Sequence, residues 1–359
     1  MISYDIIEHG KPLQKAVRET PQPKGSEVLV RVTRSGVCHS DLHIWDGYFD
    51  LGGGKRFYVK ERGCVPPFTL GHEPFGVVEA FGPAARRAAR GLRIGQKRIV
   101  FPWIGCGQCP VCRDGQDNYC LKQRFLGVMK PGAYATHVLV PHPRYLVDAS
   151  GLDEAFAATL ACSGLTAYSA ASKLPALNRR DWVAVLGCGG LGLVAIAILR
   201  ARGVRNVIAC DVDPAKLEAA RKLGARKTLD TRAPDAAQAL QQLAGGFLAA
   251  AIDFVGLPAT HAIGYPALRK GGRYVLCGLF GGEITLALPP IAQRAVAVMG
   301  SYVGNLRELK GLVALARRKK LDSAPVRVRP ADEVNTILEE LKAGKVLGRV
   351  VLDLERIAG

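Results

Sequence analysis

The sequence predicts a two-domain α/β protein in which an antiparallel, barrel-like domain of short strands is joined to a doubly wound parallel sheet. Three observations carry this reading. At 359 residues the chain exceeds the roughly 100–200 residues of one ordinary domain. In its first hundred residues, short apolar runs such as Val28 to Val32 and Phe75 to Phe81 are punctuated by Gly and Pro, as in antiparallel barrels. From Asp181 the period changes, and continuous apolar strands alternate with helix-like stretches.

In chain order, residues 1 to about 35 read as short strands with a Pro-rich turn at Pro21-Gln22-Pro23. Gly36-Val37-Cys38-His39-Ser40-Asp41-Leu42-His43 follows, and Ser40 or Asp41 is expected to cap a short helix reaching Trp45. Gly47 to Leu70, with Gly52-Gly53-Gly54 and Pro66-Pro67, reads as a long loop, a length associated with function or mobility. Gly91 to Val100 is a turn feeding a strand. Trp182 to Leu186, Asn206 to Cys210, Ala250 to Val255 and Gly272 to Gly278 are the expected parallel strands. Beyond about residue 298 come helix, strand, helix and a last strand, Gly348 to Leu354, expected to return to the first domain.

Composition narrows the function classes. No apolar run reaches the roughly 18 residues of a membrane span, and Met1 to Asp5 opens no secretory signal. A cytoplasmic protein without membrane partners is therefore expected, in which ten cysteines serve as metal ligands and buried thiols rather than disulfides. Cys210 and Cys277 read as buried filler, and Cys64 has no metal-type neighbourhood. The net charge of +18 admits nucleic-acid binding. The cations are scattered, however, as in Arg86-Arg87, Arg179-Arg180 and Arg317 to Lys320, so a basic enzyme that steers anionic ligands is the better reading.

Three motifs carry chemistry. Cys38, the His72 of Gly71-His72-Glu73 and the Cys162 of Ala161-Cys162-Ser163-Gly164 offer three N/S ligands, the open set of a catalytic zinc. Taken alone, Cys38 reads better as a buried thiol, and its neighbours and the other motifs reverse that. Cys106, Cys109, Cys112 and Cys120, spaced C-x2-C-x2-C-x7-C among residues that cannot build a core, form a closed structural zinc set, with disulfides or an iron–sulfur cluster as alternatives. Gly187-Cys188-Gly189-Gly190-Leu191-Gly192 stands between strand and helix, with Asp211 24 positions after its first glycine. A lone glycine turn is a weak signal. With both strands and the acid in place it becomes a dinucleotide fingerprint. Asp211 would accept from the ribose hydroxyls and repel a 2′-phosphate, favouring NAD over NADP.

Together these motifs resemble the zinc-dependent medium-chain alcohol dehydrogenases, bacterial and yeast-like members especially, over essentially the whole chain. The resemblance implies a GroES-like catalytic domain, residues 1–164 and 299–359 with a structural zinc lobe at about 104–121, interrupted by a Rossmann domain, 165–298. It implies two zinc ions per chain and assigns Cys38, His72 and Cys162 to the catalytic one. Glu73 matches a carboxylate able to approach the metal, Asp41 the one that orients the ligating histidine, and Ser40 and His43 a proton relay. His39 and Arg349 match phosphate contacts, Lys216 a ribose contact and Thr166 a residue beside the nicotinamide. Trp45 and Trp103 match the substrate-pocket wall, or are simply core aromatics, and His43 reads equally as a polar residue at a helix start.

The expected reaction is reversible oxidation of a primary alcohol, of aromatic, allylic or carboxylated kind, to its aldehyde by a homo-oligomer, tetramer before dimer. A polyol or other secondary-alcohol dehydrogenase is the nearest alternative. Polyol members place Glu where Cys162 stands, which argues against that branch. A zinc-ribbon nucleic-acid-binding protein is the remote one. One departure stands out: the 28 residues between His43 and His72 exceed the family's usual spacing. Gly47 to Leu70 is then either an oligomer contact or solvated loop, the plainer reading, or a lid whose Lys55, Arg56, Lys60 and Arg62 favour substrates with a distal negative charge.

Overall fold

In the computed structural model, which describes residues 1–89, 91–319, 321 and 324–357, the alternating run after Glu27 forms β1 (Val28–Val37), with Val28, Val30 and Val32 buried. Lys320, counted in the basic run above, lies outside the described residues. β1 ends where α1 (His39–Asp46) begins. The helix is capped by Cys38 rather than by Ser40 or Asp41: Asp41, at the third helical position, reaches back so that its Oδ2 accepts the Cys38 amide at 2.9 Å.

The expected loop 47–70 is largely ordered. Its first part is a hairpin, β2 (Tyr48–Gly52) and β3 (Lys55–Tyr58), with Tyr48 opposite Tyr58 and Phe49 opposite Phe57. Aromatic cross-strand pairs supply the stabilisation, and Gly53 and Gly54 take the positive φ that the turn requires.

After β4 (Pro74–Phe81) and β5 (Lys97–Val100) the cysteine-rich loop follows, then β6 (His137–Val140) and β7 (Leu146–Asp148). α2 (Glu154–Thr159) runs through a single π turn, Leu160–Gly164, into α3 (Leu165–Ser172). The π turn carries Cys162; such turns inside helices recur at functional sites.

β8 (Val183–Leu186), buried along its length, then leads through the glycine turn into α4 (Gly190–Ala201). β9 (Val207–Asp211), β10 (Lys227–Asp230), β11 (Leu248–Asp253), β12 (Leu268–Leu276) and β13 (Ala297–Gly300) complete a six-stranded sheet, parallel throughout, in the order β10-β9-β8-β11-β12-β13. The order reverses at β8. The crevice beyond its carboxyl end is therefore where a dinucleotide is expected.

The chain closes with β14 (Val326–Pro330), α5 (Val334–Lys342) and β15 (Arg349–Asp353). β15 does return to the first domain, pairing antiparallel with β1 so that Val350 faces Val37. The sheet order there is β7-β5-β4-β1-β15-β14, with β6 also on β1. Among the described residues no helix is long and apolar enough to cross a membrane.

Candidate active site

Cys38 at the start of α1, His72 just before β4 and Cys162 in the π turn bring their ligand atoms within 4.8 Å of one another, all buried. The two sulfurs are 3.9 Å apart. Tetrahedral zinc with Zn–S near 2.3 Å separates two thiolates by about 3.8 Å, so the spacing fits that ion and excludes a disulfide. The hydrogen bond between the two sulfurs lowers the Cys38 pKa and raises that of Cys162. Both ring nitrogens of His72 are buried without a hydrogen bond, which a structure tolerates for the one that meets a ligand.

A shell of polar groups surrounds these three. Asp41 Oδ1 stands 3.0 Å from His72 Nδ1. Glu73 Oε1 accepts the Ser163 amide at 3.0 Å, and Oε2 is paired with the Arg349 guanidinium. Burial holds the Glu73 carboxyl up at about 7 although Arg349 opposes the shift. Arg349 thus serves two sites, because its side chain also packs on Gly190 of the glycine turn, where a Cβ would lie 2.5 Å from Arg349 Cδ.

The glycine turn opens onto a cavity of about 310 Å³ lined by Gly187, Gly189, Gly190, Leu191, Gly192, Asp211, Lys216 and Arg349. Gly187 has φ +85, and a Cβ on Gly192 would strike the Gly187 carbonyl oxygen at 1.9 Å, so neither position admits a side chain. Asp211 is held facing this cavity: its oxygens accept the amides of Cys188 at 2.6 Å and Asp213 at 3.0 Å. That leaves further lone pairs for the hydroxyls of a ribose.

A second cavity, of about 520 Å³, holds Cys38, Ser40, His43, Trp103, Cys162 and Thr166. His39, Leu191, Phe254 and Phe280 line both cavities, so one elongated ligand can run from Asp211 to the triad. Thr166 Oγ1 is buried there without a partner. Ser40 Oγ lies 3.9 Å from Cys38 Sγ. His43, one turn along, stacks on Phe49 with ring centroids 4.7 Å apart, and burial drops its pKa to about 4, well below the 6.5 of a free imidazole. His39 stacks on Phe280 at 4.5 Å.

Trp103 lines this cavity, with its ring 5.4 Å from His72 and its indole N–H donating to the Ala161 carbonyl at 2.9 Å. Trp45 does not. It lies two residues past His43, about 200° around the helix, and points into the core, where its N–H donates to the Lys11 carbonyl. Ile44 and Phe49 line the cavity instead. Cys277 is likewise no mere filler, since it lines this cavity at the end of β12. Phe49, Tyr119, Phe280 and Tyr302 complete the wall. Their only sequence signal is aromatic character near recognised motifs.

The quartet forms a separate site. Sulfur separations are 4.0 Å for Cys106 and Cys112 and 3.8 Å for Cys109 and Cys120, again tetrahedral edges, and all four are free thiols. The amides of Gln108 and Cys109 donate to Cys106 Sγ and hold its pKa down at about 6.

Residues 24–150 match the alcohol dehydrogenase GroES-like domain and residues 190–318 the zinc-binding dehydrogenase domain. A NAD-dependent alcohol dehydrogenase of Sulfurisphaera tokodaii is 36% identical over 98% of this chain and 99% of its own. The chain belongs to the zinc-dependent medium-chain alcohol dehydrogenases. The crystal structure of the alcohol dehydrogenase of Aeropyrum pernix superposes on it with TM-score 0.87 at 33% identity, covering 98% of this chain and all of that one. An acetophenone reductase of Geotrichum candidum, solved with NAD, gives 0.86 at 27%, covering 99% and 98%. Membership makes this an NAD-dependent, zinc-binding alcohol dehydrogenase.

Proposed function

We propose that this alcohol dehydrogenase interconverts a primary alcohol and its aldehyde, with one zinc ion held by Cys38, His72 and Cys162 and a second by the quartet. The observation that carries this is the unpartnered His72 Nε2, clustered with two cysteine sulfurs on a cavity shared with Ser40 and Thr166. Zinc, when bound, supplies a Lewis acid that makes an alcohol hydroxyl acidic near neutral pH; NAD supplies the hydride acceptor.

The protein's own residues do the rest. Ser40, beside Cys38, takes the substrate's proton, and His43, neutral above about pH 4, is the acceptor that releases it to solvent. Asp41 orients His72. Glu73 and Arg349 form a buried pair between the metal site and the cofactor groove. Asp211, Lys216 and the glycine turn hold the adenosine half, while His39 and Thr166 flank the passage to the nicotinamide.

The flat walls made by Phe49, Trp103, Tyr119 and Tyr302 suit an aromatic or allylic alcohol. Likeness to an acetophenone reductase favours a second reading, an aryl secondary alcohol. For the insertion, Arg62 is the cation that matters. Arg56, Lys60 and Arg62 lie over the rings of Tyr48, Tyr58 and Phe57, and Arg62 alone of the three also reaches the hydroxyl of Tyr302 on the cavity wall. A distal carboxylate on the substrate would meet it. Supporting the remaining expectations are ten unpaired cysteines, for a cytoplasmic setting, and apolar Ile284, Leu288 and Val298 exposed around the outermost strand β13, for a homo-oligomer, tetramer favoured. The domain boundaries we assign are 1–164 with 299–359, and 165–298.

A panel of neutral and carboxylated aryl alcohols, followed by absorbance of the reduced cofactor with metal analysis of the same sample, tests the reading. Two zinc ions per chain and turnover of aryl alcohols are expected. A single ion confined to the quartet would sink it. Arg62→Gln should lower kcat/KM for carboxylated substrates alone by about tenfold, the worth of one charged hydrogen bond.

A further inference from the structure

We propose that Tyr134 is a positioning residue for the catalytic metal, acting through Asp41 on His72; the inference rests on the metal reading of Cys38, His72 and Cys162. Tyr134 is wholly buried, and its hydroxyl donates to Asp41 Oδ2 at 2.7 Å. The same oxygen accepts the amide of Cys38 at 2.9 Å, leaving Oδ1 to face His72 Nδ1 at 3.0 Å. The torsion that rotates an aspartate carboxylate is broad and two-fold. Two donors on one oxygen remove that freedom, so the other oxygen is presented to the imidazole at a fixed angle.

The ring that delivers this hydroxyl is itself tied to the ligand segment. The Tyr134 amide donates to the Leu70 carbonyl at 2.8 Å, and its carbonyl accepts the Tyr4 amide at 2.8 Å. Gly71, immediately before His72, has φ +96, and a Cβ there would lie 2.4 Å from Tyr134 Cδ1. The glycine is therefore the space in which the tyrosine stands. A buried phenol without a partner costs free energy, and Asp41 is the partner of this one.

The test compares wild type with Tyr134→Phe, Asp41→Asn and the double variant, each loaded with cobalt. The ligand-field absorption of the triad site and the rate of metal loss to a chelator are followed separately from retention by the quartet. Groups that touch a ligating histidine are worth about 10–100-fold in metal affinity. One step further out, Tyr134→Phe should speed loss from the triad by about threefold to tenfold and shift its absorption bands, with the quartet unchanged. In the Asp41→Asn background it should add nothing. Loss and spectra equal to wild type, or an undiminished effect without the Asp41 carboxylate, overturn the proposal while leaving the metal reading intact. A wild-type protein that takes up no metal at the triad overturns both.

Discussion

Cys106, Cys109, Cys112 and Cys120 come from one stretch of 15 residues, whereas Cys38, His72 and Cys162 come from three segments that meet only in the folded chain. The quartet's sulfurs are satisfied by amides of their own loop, as when Gln108 and Cys109 donate to Cys106. The triad's ligands are held from outside by Asp41, by Glu73 through the Ser163 amide and by the Arg349 of the last strand. The difference suits the two roles proposed above. A closed site needs only four ligands close in sequence. An open one needs ligands on separate rigid elements so that one direction stays clear toward the cavity.

The sharpest test of this contrast is Cys38→Ser, which should reduce turnover below detection while the quartet keeps its ion and the fold melts cooperatively. Next is Cys112→Ser. Metal binding there supplies local folding free energy of order 10 kcal/mol, so the lobe around 104–121 should become cleavable by protease. Because the Asn118 side-chain Nδ2 donates to the Tyr302 carbonyl at 3.1 Å, substrate KM should rise while the triad retains its metal. Simultaneous loss of both ions would break the comparison.

Asp41→Asn should weaken metal binding at the triad about 10–100-fold and leave the quartet untouched, as read by chelator competition. The smallest effect is a pH dependence. His43 has its pKa lowered in the fold to about 4 from 6.5, so between those values the unfolded chain binds the proton more tightly. Stability is lost as pH falls from about 6.5 toward 4, and is unaffected by His43 above that window. His43→Gln should flatten this part of the melting-temperature profile by a small margin; an unchanged profile would show that the burial seen here does not govern its protonation.

How far the sequence could be read depended on the range of the interactions involved. The residues that cluster in the two cysteine-containing sets and around the glycine turn and Asp211 were legible because each is a short motif or a set of rare residue types. The helix cap was misread by two or three positions because Asp41 serves Cys38 through a side chain that reaches backward. Trp45 was misplaced because a helix turns by about 100° per residue, so matching a motif position does not settle which face a neighbour takes. The hairpin within 47–70 carried a readable signal, aromatics flanking Gly53-Gly54, hidden by the glycines and prolines that also describe a loop.

Residue chemistry and spacing by themselves determined the two-lobed architecture, the preference for NAD, the closed quartet and the candidate open triad, since each depends on local geometry or on which side chains can ligate. Only the tertiary structure decided that Tyr134 stands behind Asp41, that Arg349 joins the metal site to the cofactor groove, and that Phe49, Phe280 and Tyr302 shape the cavity. Those pairings link residues far apart in the chain, such as 41 with 134 and 73 with 349. No local propensity specifies such contacts; they arise when β15 returns to β1 and the two domains close around one cleft.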